Sequence, residues 1–87
     1  TLAKTLVDNP SMKLEISSHT DNSLDANESL TFSKARAKAI AKYLKEHEVL
    51  DSQLEEVGRG SADAIALNNS AKGRKRNERI EIRFLKL

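Results

Sequence analysis

The sequence predicts a small α/β domain in which helices and strands alternate along the chain. Two observations carry this prediction: three segments alternate apolar with polar residues, and helical segments with apolar faces or capping residues precede and separate them. Strands separated by helices favour right-handed crossovers, with the helices packed on one face of a small sheet. The predicted order is therefore α-β-α-β-α-β.

The first half of the chain predicts a short helix, a strand and a longer helix. An apolar helical face lies at the very start, at Leu2, Ala3, Leu6 and Val7. Pro10 disfavours helical geometry in the residue before it, so this helix should end by Asn9. The alternation in MKLEISS, residues 12–18, predicts a strand with one buried face.

The longer helix is predicted to begin after Ser33, a good N-cap residue, and to end near His47. Its core-facing stripe has the spacing i, i+3, i+4, i+7 and consists of Ala37, Ile40, Ala41 and Leu44.

The second half predicts a strand at QLEEVGRG, residues 53–60, followed by a polar loop to Asn69. Ser70 is expected to cap a brief basic helix through AKGRKR, which Gly73 should weaken by ~1 kcal/mol relative to alanine. ERIEIRF, residues 78–84, alternates again and predicts the last strand.

Length and composition restrict the possible classes of protein. The 87 residues fit a single domain over residues 1–87, and the apolar pattern at the first residues suggests an N-terminally truncated fragment of a longer protein. The net charge of +2 makes polyanion binding an unlikely first choice. The absence of cysteine excludes thiolate catalysis, disulfides and Cys-based zinc sites. No apolar run approaches the ~20 residues of a membrane span.

A carboxylate and a guanidinium stand out in SHTDNSLDANESLTFSKARAKAI, residues 18–40. Asp21 follows the first predicted strand, and Arg36 lies on the next helix, where ligands of such folds meet the chain. One anion and one forked cation can together neutralise a zwitterionic ligand through charge-assisted bonds. If the helix begins after Ser33, its free N–H groups would also help Arg36 to hold a carboxylate.

Four stretches carry a resemblance to a known family: SHTDNS, LTFSKARAKAIAKYL, VGRG and NNSAKGRKRNERIEI. In this order and spacing, over residues 12–84, they resemble the OmpA-like C-terminal domain of outer-membrane proteins, peptidoglycan-associated lipoproteins and flagellar stator proteins. The resemblance implies an α+β sandwich with a small mixed sheet and helices on one face, here without the family's first strand. It also implies a non-enzymatic domain that binds peptidoglycan and anchors its parent protein to the cell wall.

The resemblance also implies roles for individual residues. Asp21 would accept the side-chain ammonium of a diaminopimelate-type residue in the stem peptide, and Arg36 would hold its carboxylate. By matching position, the remaining candidate ligand-binding residues are Thr20, Asn22, Ser23, Ser29, Asn77 and Arg79. No cofactor or metal is expected. The partner is peptidoglycan rather than nucleic acid, the location is the periplasm in association with the outer membrane, and the parent protein is expected to be membrane-associated.

The chain departs from the family pattern at four positions. Ser18 and Leu24 stand where the family commonly has glycine, and Ser29 stands where it has asparagine. Glu78 replaces a cation at the entrance of the last strand. Ser18 should cost little if its φ is negative.

Other functions remain open from the sequence. His19 lies beside Ser18 and Asp21, but neighbours on an extended chain point to opposite faces, so no catalytic triad is expected, and His47 is too distant to share a metal. KGRKR with Arg79 could bind nucleic-acid phosphates, although nearby glutamates and the lack of stacking aromatics speak against it. A protein-interaction module that has lost wall binding is the other alternative. No phosphate loop, cofactor motif or activated nucleophile indicates an enzyme.

Overall fold

A computed structural model describes all 87 residues and has the element order that the sequence predicts. The helices are α1 (Leu2–Asp8), α2 (Ala26–Glu46) and α3 (Ala71–Asn77), and the strands are β1 (Lys13–His19), β2 (Leu54–Gly60) and β3 (Arg79–Lys86). One 3₁₀ turn, Asp51–Gln53, precedes β2. None of the helices combines the length and the apolar content that crossing a membrane requires.

The three strands form a mixed sheet in the order β2-β1-β3. β1 runs parallel to β2, with α2 as the connection between them, and antiparallel to β3. The mixed sheet confirms the predicted fold class. The prediction of a second crossover is wrong. Helix α3 connects β2 to β3, which lie on opposite sides of β1 and do not pair with each other. The carboxyl ends of β1 and β2 and the amino end of β3 therefore lie at the same end of the sheet.

The start of α2 differs from the prediction. The helix begins at Ala26, where the Asp25 side chain caps it by accepting a 2.8 Å hydrogen bond from the Glu28 N–H. Asp25 and Glu28 have the spacing of an acidic N-cap followed by a glutamate at the third helical position. Ser33 is fully buried inside the helix, where its hydroxyl donates to the Leu30 carbonyl at 3.0 Å. The predicted helix end is confirmed, with His47 as the C-cap.

The core lies between the sheet and the helices α1 and α2. It contains Leu6, Leu14, Ile16, Ala37, Ala41, Leu44 and Val49. The predicted apolar stripe of α2 faces this core, although Ile40 is only partly buried. Gln53 closes one end of the core, because its side-chain amide donates to the carbonyls of Leu6, Asn9 and Met12 at 2.8–3.2 Å.

The backbones of α2 and β2 approach each other at Gly58 and Gly60. A Cβ on Gly58 would collide with the backbone N of Lys34 and lie 2.6 Å from the Lys34 Cα. Gly60 has φ +57°, and its N–H donates to the Ser33 hydroxyl at 2.9 Å. Glycine at these two positions is therefore what allows α2 to lie directly on β2.

The opposite face of the sheet is also covered, which corrects the prediction of one buried face. Glu15, Ser17 and His19 of β1 are all buried although they alternate with the core residues. Arg59 of β2 and Arg83 of β3 each place a guanidinium within 3.5 Å of the Glu15 carboxylate. Long arginine side chains from the two outer strands thus cover the polar face of the central strand.

Gly73 also has a role that its sequence position did not indicate. A Cβ at this position would collide with the Leu67 carbonyl oxygen. The alanine that intrinsic helix propensity favours there is therefore excluded by contact with the preceding loop. Ser70 caps α3 as predicted, by accepting a 3.1 Å hydrogen bond from the Gly73 N–H.

We expect Gly58→Ala to lower the free energy of unfolding by about 1–3 kcal/mol, because the new methyl group forces the α2 backbone away from β2. Urea denaturation followed by circular dichroism measures this. Glu56→Ala, an exposed position on the same strand, is the control and should stay within about 0.5 kcal/mol of wild type. Equal stability of Gly58→Ala and wild type would show that the two backbones need not touch.

We expect Ser18→Ala to raise the free energy of unfolding by about 1 kcal/mol, because the Ser18 hydroxyl is fully buried and has no hydrogen-bond partner. Ser17→Ala is the matched control: its hydroxyl contacts the His19 Nε2 at 3.1 Å, so its removal should destabilise the domain. Urea midpoints of the two variants make the comparison. A loss of stability in Ser18→Ala contradicts this prediction.

Candidate functional site

Asp21 lies in the loop that leaves β1, with its carboxylate accessible to solvent. Its Oδ1 accepts a 2.8 Å hydrogen bond from the Ser23 N–H, while the hydroxyl of Thr20 donates to the Asp21 carbonyl at 2.9 Å. The neighbouring Ser23 side chain and backbone N–H lower the pKa of the Asp21 carboxyl, and the Arg74 charge lowers it further. Asp21 is therefore held as an anion, with its Oδ2 free of protein hydrogen bonds.

Glu78 is brought beside Asp21 by the register of the sheet. His19 at the end of β1 pairs with Arg79 at the start of β3, so the residue before Arg79 meets the loop after His19. The Asp21 N–H donates to the Glu78 Oε1 at 3.2 Å. This contact joins residues that are 57 positions apart in the sequence.

Arg36 reaches the same glutamate from α2. Its Nη1 donates to the Glu78 Oε2 at 3.0 Å, and its guanidinium lies 5.6 Å from the centre of the Phe32 ring, one helical turn earlier. Because α2 begins at Ala26, Arg36 lies in the middle of the helix. The predicted help from free N–H groups of a first turn is therefore wrong: the backbone around Arg36 is already hydrogen-bonded within the helix.

The Asp21 backbone N–H and the Arg36 guanidinium thus converge on one carboxylate, that of Glu78. The Arg36 and Glu78 side chains remain 35% and 37% exposed, so their ion pair contributes only about 0.2–1 kcal/mol to stability. No cavity is lined by both Asp21 and Arg36; Glu78 occupies the space between them. An open hollow adjoins Arg36 through Phe32 and is lined by Leu24, Asn27, Glu28, Thr31 and Phe32.

The other candidate residues near Asp21 divide into exposed and buried ones. Asn22 and Ser23 are exposed in the loop. Thr20 is almost fully buried, and Ser29 is completely buried, with its hydroxyl 3.4 Å from the Leu24 carbonyl. In this structure Thr20 and Ser29 use their hydroxyl groups to hold the loop, whereas Asn22 and Ser23 are open to a ligand.

Asn77 and Arg79 fix the junction between α3 and β3. The buried Asn77 amide accepts from the N–H groups of Ile65 and Ala66 and donates to the Ala66 carbonyl and the Asn68 side chain. Arg79 donates to the carbonyls of Asn77 and Asp63 and pairs with Glu81. These contacts hold the loop of residues 61–70 and fix the position of Glu78, which lies between Asn77 and Arg79 in the chain. Both residues therefore support the site without contacting Arg36.

His19 lies on the arginine-covered face of the sheet, in a groove shared with Arg79 and Glu81. It is 2% exposed, and its Nδ1 has no hydrogen-bond partner. Burial, assisted by the charge of Arg79, lowers the pKa of the His19 imidazole. No group of three or more His, Asp or Glu side chains in the chain could hold a metal ion.

The residue at the centre of the site, Glu78, was not among the candidates from the sequence. The available signal was its replacement of a cation just before the last strand. That signal could have been combined with the strand order, since an antiparallel β3 beside β1 places the residue before β3 next to the loop after β1. Ser18 is another departure from the family pattern. Its φ is negative, which is the condition under which serine replaces glycine at little cost.

The structure thus defines a small mixed α/β domain that presents paired opposite charges at one sheet edge. The OmpA family model matches residues 1–78, and the chain belongs to the OmpA family. It is 36% identical over 73 residues to the peptidoglycan-binding protein ArfA of Mycobacterium tuberculosis and of Mycobacterium bovis. This match covers 84% of the chain but only 22% of the length of ArfA.

Solved structures have the same fold. The peptidoglycan-associated lipoprotein from Burkholderia pseudomallei superimposes with a TM-score of 0.91 and 25% sequence identity, over 95% of this chain and 70% of that protein. The C-terminal domain of Helicobacter pylori MotB superimposes with a TM-score of 0.85 and 28% identity, over 95% of this chain and 65% of that domain. The family and fold predicted from the sequence are confirmed.

We expect the free energy of unfolding to decrease as the pH falls through about 6.5, because the unfolded chain then protonates His19 before the folded protein does. His19 contributes its full stability above this pH. Urea midpoints between pH 7.5 and 5.5 measure the slope, which His19→Gln should reduce. His47→Gln changes an exposed histidine and should keep the slope. A slope that is identical in wild type and His19→Gln contradicts the assignment.

Proposed function

We propose that this domain binds peptidoglycan without covalent chemistry and anchors its parent protein to the cell wall. The ligand is a diamino acid of the stem peptide: Asp21 holds its ammonium, and Arg36 holds its carboxylate where one is present, in competition with Glu78. The observation that carries the proposal is that the Asp21 backbone N–H and the Arg36 guanidinium, from separate elements, both donate to one partly exposed carboxylate. A carboxylate, that of Glu78, already occupies this position, which supports the assignment of an anion-binding role to Arg36.

The relatives support the same function. ArfA is named a peptidoglycan-binding protein, and the similar solved structures include a peptidoglycan-associated lipoprotein and periplasmic domains of MotB. We therefore propose a periplasmic location in a bacterial cell envelope, with a parent protein associated with the outer membrane. The chain spans about a fifth of the length of ArfA, so these statements concern the domain and are proposals for the whole protein.

The chemistry of the site fits reversible binding. The free Oδ2 of Asp21 can accept an ammonium, and the guanidinium of Arg36 uses only Nη1 in a hydrogen bond, which leaves its other N–H groups for a ligand. Each charge-assisted contact contributes roughly 1.5–3 kcal/mol, so one stem peptide is bound weakly. A polymer that repeats the ligand raises the effective concentration and makes weak single contacts sufficient for anchoring.

We expect wild-type protein to sediment with purified sacculi, and Asp21→Asn and Arg36→Lys to sediment with at least about tenfold lower affinity. Asp21→Asn removes the charge but keeps an oxygen for the Ser23 N–H, and Arg36→Lys keeps the charge but removes the fork. Both variants should therefore stay folded, which circular dichroism verifies. The measurement is the bound fraction over a series of sacculus concentrations.

Matched controls are Asp8→Asn on α1 and Lys42→Ala on an exposed part of α2, which change charge far from the site. Both should bind sacculi like wild type. The proposal is contradicted if wild type remains in the supernatant, or if all four variants and wild type bind equally.

A further inference from the structure

Glu78 is the acidic side chain that the proposed function leaves unexplained. We propose that it determines specificity, by making the site prefer a stem residue whose side chain ends in an ammonium without a free carboxylate. Lysine, or a diamino acid with an amidated side-chain carboxylate, has such an end. This inference rests on the proposed function and names the ligand chemistry that the same site selects.

Glu78 already accepts from donors that a ligand carboxylate would use. Glu78 Oε2 accepts from the Arg36 guanidinium at 3.0 Å, and Oε1 accepts from the Asp21 N–H at 3.2 Å. These donors, one from α2 and one from the loop after β1, are the ones that would meet a ligand carboxylate at this position. A free carboxylate must therefore displace Glu78 or enter beside it as a second anion. An amide or a lysine end brings no such competition.

The net charge of the site also favours a cationic ligand end. Two carboxylates, Asp21 and Glu78, and one guanidinium, Arg36, leave this group with a net charge of −1. The further cation that acts on Asp21 is Arg74, whose charge is the smallest of the causes that lower the Asp21 pKa. Its guanidinium donates to the Asn68 carbonyl and forms no ion pair with Glu78. A side-chain end of charge +1 complements this group better than a zwitterionic end of charge 0.

A purely structural role of Glu78 makes a different prediction. Because Glu78 links the start of β3 to α2, its loss could loosen the site and weaken every ligand to the same extent. A specificity role changes the ratio of affinities between ligands instead. The ratio for each variant is therefore the quantity to measure, together with its dependence on salt, because exposed charges are screened.

The experiment uses three synthetic stem tetrapeptides that differ only in the third residue: lysine, meso-diaminopimelate, or meso-diaminopimelate amidated on its side-chain carboxylate. Their Kd values are measured by NMR titration for wild type, Glu78→Gln and Glu78→Arg. Glu46→Gln removes the same charge at the far end of α2, about 15 Å along the helix from Arg36, and is the control.

Wild type and Glu46→Gln are expected to bind the lysine and amidated peptides about tenfold more tightly than the free acid. Glu78→Gln should bring the three affinities together, and Glu78→Arg should favour the free acid. The inference is overturned if wild type binds the free acid as tightly as the amide, or if the ratio is unchanged in Glu78→Gln. If either result is found while binding still depends on Asp21, the specificity inference is wrong but the proposed function is not contradicted. Absence of binding of all three peptides to every protein overturns both.

Discussion

The position of Arg36 depends on the direct contact between the backbones of α2 and β2. Gly58 and Gly60 have no side chains to hold the helix away, and the Ser33 hydroxyl bonds to the N–H of Gly60. This contact fixes the height and rotation of α2 above the sheet. Arg36 lies three residues after Ser33, so the same contact decides where its guanidinium can reach. A helix packed at an ordinary distance through side chains would carry Arg36 away from the loop after β1.

The sequence predicted the elements well because each has a local signal: alternation for the strands, Pro10 for the end of α1, and Ser70 for the start of α3. The start of α2 differs from the prediction because Ser33 and Asp25 are both acceptable N-caps. The spacing of Asp25 and Glu28 is a local signal for the earlier start, and tertiary packing places Ser33 in the helix interior. The Ser33 hydroxyl accepts a hydrogen bond from the N–H of Gly60, 27 positions later in the chain. No local sequence pattern contains this contact. The clash that excludes alanine at position 73 is likewise a contact with a loop, invisible to helix propensity.

The candidate site was also predictable only in part, because some of its residues have a local signal and others join it through long-range contacts. Asp21 and Arg36 were found because the family motif names them, and their approach follows from a strand joined to a helix. Glu78 belongs to the site through the register of β1 with β3, a long-range property that alternation alone does not determine. The burial of Glu15 and His19 has the same origin. Period-two patterning assigns them to the polar face correctly, but only the arginines of both neighbouring strands turn that face into a covered surface.

The Glu78 carboxylate affects binding in two opposed ways. By holding the long Arg36 side chain, with the Phe32 ring beside it, the glutamate fixes a group that would otherwise lose conformational entropy on binding. By pairing with the Arg36 guanidinium, it makes recognition of a ligand carboxylate at this position an exchange of one anion for another. In an exchange, affinity is set by the difference between the incoming and the outgoing contacts, and similar carboxylates leave little difference. An ammonium bound by the Asp21 carboxylate displaces neither Glu78 nor Arg36, so it is recognised without this competition.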